Sequence, residues 1–242
     1  MIKFIIRRKH PEEYANYLEL SLKKLKLADT CDVHVLPEEE TFGYSHSWNR
    51  GIDAYINNKL NDDDIVCFCH EDVLILDPNF SQKLEMIFKL KPEVGLVGVT
   101  GSSKLPEHGR WFDENFEDLV GQWATNMDNK TIIMGRNRIG YFDDVLVCHK
   151  FFIAVRASLL KEGLRFDQCF TFDLYNLDFC LQVLERGFKV AVADILLLHK
   201  SQREEESNLD LFNSKYIERG YKIPLTIDQF KKDQLIGVDI SL

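Results

Sequence analysis

The sequence lacks the features that mark several large protein classes. No uninterrupted apolar run reaches the roughly 18–20 residues that a membrane-spanning helix needs. At the N-terminus the apolar residues 2–6 precede the basic residues 7–9, whereas a signal peptide has the reverse order. The six cysteines include no Cys-x-x-Cys pair, which is typical of buried free thiols. These absences predict a cytoplasmic chain with no transmembrane segment.

A net positive charge and the common nucleotide-binding motifs are also absent. There is no Walker A loop, Gly-x-Gly-x-x-Gly fingerprint, Gly-x-Ser-x-Gly elbow or zinc-type Cys/His array, which argues against ATPases, dehydrogenases and serine hydrolases. The 30 Lys and Arg residues face 39 Asp and Glu residues, so the net charge is −9. Because an acidic chain is a poor counterion for a nucleic-acid backbone, we expect no nucleic-acid partner. A bound phosphate would need a metal ion, a helix N-terminus or a few basic side chains.

What the sequence does contain is a regular alternation of strand and helix patterns. Hydrophobic residues make up 45% of the 242 residues, enough for a sizeable core. Over the first hundred residues, apolar, β-rich runs alternate with helical patterns. The apolar runs lie at 2–6, 32–36, 65–69 and 94–99. This order predicts an α/β fold with a mostly parallel sheet and helices on both faces.

The second half of the chain is less regular. Residues 101–141 lose their periodicity and are interpreted as a long loop or a small hairpin insertion. Further strands are predicted within 145–155, at 189–192 and at 195–198, with a helix over 177–186. With no repeat and no linker, residues 1–242 are predicted to form a single domain.

The most pointed local feature is the buried strand 65–69, which ends in His70, Glu71 and Asp72. In open α/β sheets ligands bind beyond the carboxyl ends of the strands. Carboxylates at such a position need a hydrogen bond, a cap or a cation, and a divalent ion shared with a phosphate ligand is one solution. The alternative is a solvated turn.

Four other residues are candidates for chemistry. Asp173 and Asp178 flank the start of the helix over 177–186. Each could act as a general base, or could simply be an acid that interacts favourably with the N-terminus of the helix. His199 ends a strand, as a metal ligand or as an ordinary buried histidine. Arg7 ends the first strand, as a phosphate contact or as solvated charge.

Four stretches in order resemble the GT-A glycosyltransferases, in particular the family-2-like branch that includes the streptomycin-biosynthesis StrF-type proteins. They are SHSWNRGI at 45–52, CHEDV at 69–73, VGLVGVTG at 94–101, and LRFD at 164–167 followed by DFCL at 178–181 and His199. The resemblance covers roughly residues 1–200. It implies a GT-A-like, Rossmann-type fold with a nucleotide-binding half (1–100), an acceptor and catalytic half (101–200) and a C-terminal extension (201–242).

The resemblance also implies a function and a set of site residues. The expected reaction is metal-dependent, inverting transfer of a sugar, as in hexosyltransferases, from a nucleotide-diphospho-sugar to an acceptor hydroxyl. The expected donor is a UDP-sugar, and the acceptor is a glycan or a small molecule. Asp72 and His199 match the ligands of a divalent metal, Mn²⁺ or Mg²⁺. Arg7, Asn49, Glu71 and Asp72 are expected to bind the nucleotide sugar.

Two positions depart from the family pattern. His70 stands where the metal motif usually begins with an acid, and Tyr175-Asn176 stands at the usual Glu-Asp pair. Asp178 and Asp173 are then the carboxylates left to act as the catalytic base. The alternative is a non-catalytic protein of the same fold that binds a nucleotide sugar or a partner; a nucleotidyltransferase is a weaker one. Trp111, Trp123 and Tyr141 either stack on an acceptor sugar or pack in the core. The sequence does not indicate an oligomeric state.

Overall fold

A computed structural model describes residues 1–37, 43–58, 60–106, 111, 119–127, 130–135, 140–200, 209–218 and 225–236. Within these ranges the strands are β1 (Ile2–Arg8), β2 (Asp32–Pro37), β3 (Ile65–His70), β4 (Val73–Ile75), β5 (Val94–Gly98), β6 (Thr100–Ser102), β7 (Lys104–Leu105), β8 (Leu119–Met127), β9 (Lys130–Gly135), β10 (Phe142–Val145), β11 (Val147–Cys148), β12 (Phe152–Arg156), β13 (Lys189–Val192), β14 (Leu197–His199) and β15 (Leu225–Thr226). The helices are α1 (Pro11–Asn16), α2 (Leu18–Lys24), α3 (Gly43–Asn58), α4 (Phe80–Leu90), α5 (Ala157–Lys161), α6 (Tyr175–Glu185), α7 (Leu209–Glu218) and α8 (Ile227–Ile236).

Seven strands form the central sheet, in the order β10-β13-β5-β12-β3-β1-β2. β1 pairs in parallel with β2 and β3, and β13 pairs in parallel with β5. β12 lies antiparallel between β3 and β5, and β10 is antiparallel to β13. Five of the seven strands therefore run in one direction, and the predicted mixed α/β class is confirmed.

The composition of β3 shows why the sheet carries helices on both faces. All of its residues are buried. Val66 and Phe68 pack into one core with α3 and α6, whereas Cys67 and Cys69 pack into a second core with α2 and α4. Because successive side chains of a strand point to opposite faces, a continuous apolar run suits a strand between two helical layers.

A second sheet, in the order β11-β6-β8-β14-β4, lies in the less regular part of the chain, with β9 paired to β8. The β8–β9 hairpin falls within the predicted long loop or hairpin insertion. A Cβ atom on Gly101 or Gly121 would overlap the carbonyl oxygen of Val147 or Val99, respectively. The glycines that obscure the strand pattern in the sequence are thus the residues that allow these backbones to approach.

Three details differ from the sequence-based expectation or extend it. The helical pattern between the first two predicted strands is divided into α1 and α2, and the last predicted strand is Leu197–His199 rather than 195–198. In the C-terminal extension, Tyr216 of α7 and Phe230 of α8 are buried in the core that contains α3 and α6. The last residues of this extension, 237–242, lie outside the described residues. Among the helices that the structure describes, none is long and apolar enough to cross a membrane.

Candidate functional site

A cleft opens at the carboxyl ends of β1 and β3, the edge of the sheet where ligands of α/β proteins bind. The register of these two strands places Arg7 beside His70. The described residues that line the cleft are Arg7, Lys9, His10, Glu13, Tyr44, His70, Glu71, Asp72, Lys150, Phe172 and His199.

Asp72 and His199 meet because the short strands that they adjoin are paired. His199 of β14 is the register partner of Val73, the residue directly after Asp72. His199 Nε2 lies 3.4 Å from Asp72 Oδ1, and both side chains are buried. Burial raises the pKa of Asp72, but the hydrogen bond and charge of His199, together with His70, outweigh it and hold the pKa at about 2. Asp72 is therefore an ionised carboxylate at neutral pH.

His70 joins this pair from the end of β3. It points to the same face as Val66 and Phe68, since residues two apart in a strand share a face. Its ring stacks on Tyr44 at a centroid distance of 4.4 Å, and its Nε2 lies 2.9 Å from the hydroxyl of Tyr175. Burial and the neighbouring His199 lower the pKa of His70 well below its usual range, so its imidazole is neutral.

His70, Asp72 and His199 together form a group that can hold a metal ion. One potential ligand atom of each lies within 4.8 Å of the others. His199 Nε2 is buried, and its polar contact within the described part of the chain is the long one to Asp72 Oδ1, at 3.4 Å. A buried nitrogen with so long a contact is incompletely satisfied, and an ion or a ligand could satisfy it. Two imidazole side chains with an ionised carboxylate are a donor set that suits a divalent transition metal.

Two cations face this group across the cleft. The Arg7 side chain is 5% exposed, and its guanidinium lies 4.9 Å from the ring centroid of Tyr44 and 6.0 Å from that of Phe172. No described residue forms a hydrogen bond or an ion pair with that guanidinium. The second cation, Lys150, pairs with Asp173 at 3.1 Å. A buried cation held by aromatic rings but not neutralised by an acid is suited to an anionic ligand.

Glu71 organises the loop between β1 and α1. Both carboxylate oxygens accept a hydrogen bond from the backbone amide of His10, at 2.9 Å each. Burial raises the pKa of Glu71 to about 7, although the amides of His10 and Lys9 act in the opposite direction. Through this contact Glu71 holds the loop that places Lys9 and His10 at the cleft.

Comparison with known proteins identifies the family. Residues 3–217 match the model of the glycosyltransferase-like family. The chain belongs to this family. No curated protein sequence matches the chain.

A solved structure shows that the fold of this glycosyltransferase-like protein is GT-A. A crystal structure of GalNAc-T7 with UDP, GalNAc and Mn²⁺ is similar, with a TM-score of 0.56 and 11% identity over 97% of this chain. The chain spans 55% of the length of that protein. A mutant of Drosophila β1,4-galactosyltransferase 7 in complex with manganese, UDP-Gal and xylobiose matches with a TM-score of 0.46 and 13% identity, over 94% of this chain and 83% of the other.

Asn49 lies outside the cleft lining of the glycosyltransferase-like chain. Its amide nitrogen donates to the carbonyl oxygen of Phe166 at 2.8 Å, and its amide oxygen accepts from the Phe166 amide at 3.0 Å. Both polar atoms of the side chain therefore join α3 to the segment before α6.

The acids near the start of α6 have different surroundings. Asp178 is fully buried, does not line the cleft and accepts a hydrogen bond from Gln182 at 2.7 Å. Asp173 is 22% exposed and pairs with Lys150, which does line the cleft. Asn176 is buried and donates to the carbonyl oxygen of Cys148 at 2.6 Å.

The three aromatic residues suggested for acceptor binding are divided between two places. Trp111 and Trp123 each lie 5.8 Å, between ring centroids, from His149. The His149 ring lies 6.3 Å from that of His199, so this aromatic group adjoins the metal-binding candidates. Tyr141 instead lies beside Lys91 in a separate apolar groove along α4. Much of the surrounding 102–144 segment lies outside the described residues.

Sequence reasoning missed several residues of the cleft. His70 was recognised at its motif position but given no ligand role, although the alternation of β3 places it on the face of α3 and α6. Tyr44, Lys150 and Phe172 carry no local signal, because their neighbours in the cleft are distant in sequence.

Proposed function

We propose that the protein transfers a sugar from a nucleotide-diphospho-sugar to an acceptor hydroxyl. The observation that carries this proposal is one cleft in which the His70–Asp72–His199 group faces the unpaired guanidinium of Arg7. A donor diphosphate bridges these two features, since it binds metal ions and basic side chains alike. The GalNAc-T7 structure, which contains UDP, GalNAc and Mn²⁺, supports a UDP-sugar as the donor.

His70, Asp72 and His199 would hold a divalent ion, Mn²⁺ or Mg²⁺. When bound, such an ion neutralises the charge that develops on the leaving diphosphate. Arg7 and Lys150 supply further positive charge at the same cleft, and Phe172, an exposed ring beside Arg7, provides a flat surface for the nucleotide base. Glu71 contributes indirectly, by positioning the β1–α1 loop.

Of the two candidate bases, we favour Asp173. Its carboxylate is partly exposed and lies beside a cleft residue, whereas Asp178 is enclosed and hydrogen-bonded to Gln182. Asp173 would take the proton from the acceptor hydroxyl. At the same time the hydroxyl oxygen would form a bond to the anomeric carbon, and the bond between that carbon and the diphosphate would break. A single displacement of this kind inverts the anomeric centre. More specifically, we propose that the protein is an inverting hexosyltransferase of the StrF-type branch.

Turnover is tested by incubating the protein with Mn²⁺, a panel of UDP-sugars and acceptors, and measuring UDP release. We expect Asp173→Asn to lower kcat by roughly 10²–10⁴-fold, the range for loss of a general base, with UDP affinity retained. Asp178→Asn is the matched variant. A larger kcat loss in Asp178→Asn than in Asp173→Asn, with both variants folded, would exchange the two roles.

Donor binding is tested separately, by measuring the affinity of the protein for UDP. We expect Arg7→Met to weaken UDP binding by ten-fold or more, since it removes a buried cation from the cleft. Arg8→Met is the control, because the next residue of β1 points to the opposite face. Equal UDP affinities for the two variants would remove Arg7 from the donor site.

A non-catalytic nucleotide-sugar-binding or partner-binding protein is the second candidate. It is favoured by Asn176, whose amide occupies the position of the expected acid and is bound to a backbone carbonyl. Metal-dependent UDP binding without UDP release, for every donor and acceptor tried, would support it. The cytoplasmic location remains a prediction from the sequence.

A further inference from the structure

We propose that Tyr175 is a positioning residue that orients His70 as the third metal ligand, and that this makes the site select transition metals over Mg²⁺. The inference rests on the proposed function, because it concerns the metal site of that function. Tyr175 lies outside the ligand set, but it would determine which metal ions the site accepts.

The orientation of His70 follows from its two ring nitrogens. Nε2 lies 2.9 Å from the hydroxyl oxygen of Tyr175. When Nε2 carries the proton and donates it to that oxygen, Nδ1 carries the lone pair that a metal ion needs. A histidine ligand usually donates its other ring N–H to a neighbouring acceptor, which fixes both the tautomer and the ring orientation.

Packing holds both rings in this arrangement. Tyr175 is fully buried and meets the Trp48 ring edge-on, with centroids 5.2 Å apart and an interplanar angle of 88°. Tyr44 covers the other side of the pair, since its ring lies within 9° of parallel to that of His70. Neither the imidazole nor the phenol can turn without disturbing this aromatic group, so the Tyr175 hydroxyl oxygen has a fixed position beside Nε2 and can accept its proton.

The donor set then determines the metal preference. Mg²⁺ prefers oxygen ligands and gives up its water molecules reluctantly. Imidazole nitrogen suits transition metals such as Co²⁺ and Zn²⁺, and for a given site affinities generally rise from Mn²⁺ to Co²⁺. Two imidazoles and one carboxylate therefore form a transition-metal site, whereas an acid in place of His70 would make the site more favourable to Mg²⁺.

The test is direct titration of the metal-free protein with Co²⁺, Mn²⁺ and Mg²⁺ by calorimetry, with the visible absorption of bound Co²⁺ as a second readout. We expect the wild type to bind Co²⁺ at least ~100-fold more tightly than Mg²⁺. Tyr175→Phe should weaken Co²⁺ binding by about 10–100-fold, the usual effect of losing an outer-shell partner, and should alter the Co²⁺ spectrum. Its Mg²⁺ affinity should change little.

Tyr55→Phe is the matched control. Tyr55 is also buried and also uses its hydroxyl in a hydrogen bond, to the carbonyl oxygen of Phe4 at 3.2 Å, but it does not line the cleft. We expect this variant to keep the wild-type Co²⁺ affinity and spectrum. Equal losses in Tyr175→Phe and Tyr55→Phe would overturn the positioning role, because the effect would then be general destabilisation.

A second variant keeps the inference testable if Tyr175→Phe does not fold. His70→Asp should shift the preference toward Mg²⁺, with weaker Co²⁺ binding and tighter Mg²⁺ binding than in the wild type. Similar Co²⁺ and Mg²⁺ affinities in the wild type would overturn the selectivity. If the wild type binds none of the three ions, the metal site of the proposed function fails as well; if it binds Co²⁺ tightly but Tyr175→Phe and His70→Asp change nothing, only the present inference fails.

Discussion

The amide of Asn49 uses both of its polar atoms on one residue of the chain, Phe166. The two hydrogen bonds, at 2.8 and 3.0 Å, satisfy a buried carbonyl and a buried amide that have no regular strand or helix partner there. The sequence resemblance predicts that Asn49 lies near the nucleotide, whereas these contacts suit a residue that stabilises the framework around the cleft. A framework role predicts that loss of the Asn49 side chain lowers stability, whereas a nucleotide-binding role predicts that it lowers UDP affinity.

Asn49→Ala should destabilise the fold by about 2–4 kcal/mol, because it leaves two buried backbone groups unsatisfied at roughly 1–2 kcal/mol each. Urea unfolding gives the free energy, and UDP titration of the folded variant gives the affinity. Ser47→Ala, on the same helix at a partly exposed position, is the control and should change the free energy by less than about 1 kcal/mol. A folded Asn49→Ala protein of wild-type stability but much weaker UDP binding would return Asn49 to the nucleotide site.

At the scale of elements, the success of prediction depends on whether the determining contacts are local. The run 65–69 identifies β3 because burial on both faces imposes apolar residues at every position, and β3 extends one residue further, to His70. The strands β6 and β8 escape detection because their glycines serve close backbone approach. The pairing of His70 with Tyr175 joins residues 105 positions apart, so no local pattern announces it. Asp72 and His199 can be singled out from the sequence because each lies at or near the end of a recognisable strand, and their metal-binding role stays a prediction.

The seating of α3 on β1 gives a prediction at this scale. A Cβ atom at Gly51 would overlap Cγ2 of Ile5 and lie 3.3 Å from Leu36 Cδ1. Gly51→Ala should gain about 1 kcal/mol in helix propensity but lose more through overpacking, for a net destabilisation of about 1–2 kcal/mol in urea unfolding. Asn57→Ala, on the exposed face of α3, should instead stabilise by a few tenths of a kcal/mol. If both substitutions stabilise the protein, the helix is not held by this contact.

At the scale of the molecule, the central sheet draws strands from both halves of the chain. β12, from the second half, lies between β3 and β5 of the first, and β13 pairs with β5. Neither half can form its part of the sheet without exposing unpaired edges and apolar faces. Residues from α7 and α8 complete one of the two cores. This topology favours a single domain, and with it a single cooperative unfolding transition.

Two buried cysteines report on that cooperativity, one from each half. Cys67 of β3 and Cys180 of α6 are fully buried, whereas Cys169 is exposed. In increasing urea, a thiol reagent followed by mass spectrometry should label Cys169 throughout and should label Cys67 and Cys180 at one common midpoint, because a two-state domain opens both cores together. Separate midpoints for Cys67 and Cys180 would show that the two halves of the chain unfold independently. A common midpoint would instead mean that Asp72 and His199, the proposed metal ligands from opposite halves of the chain, are held together by the stability of the whole sheet.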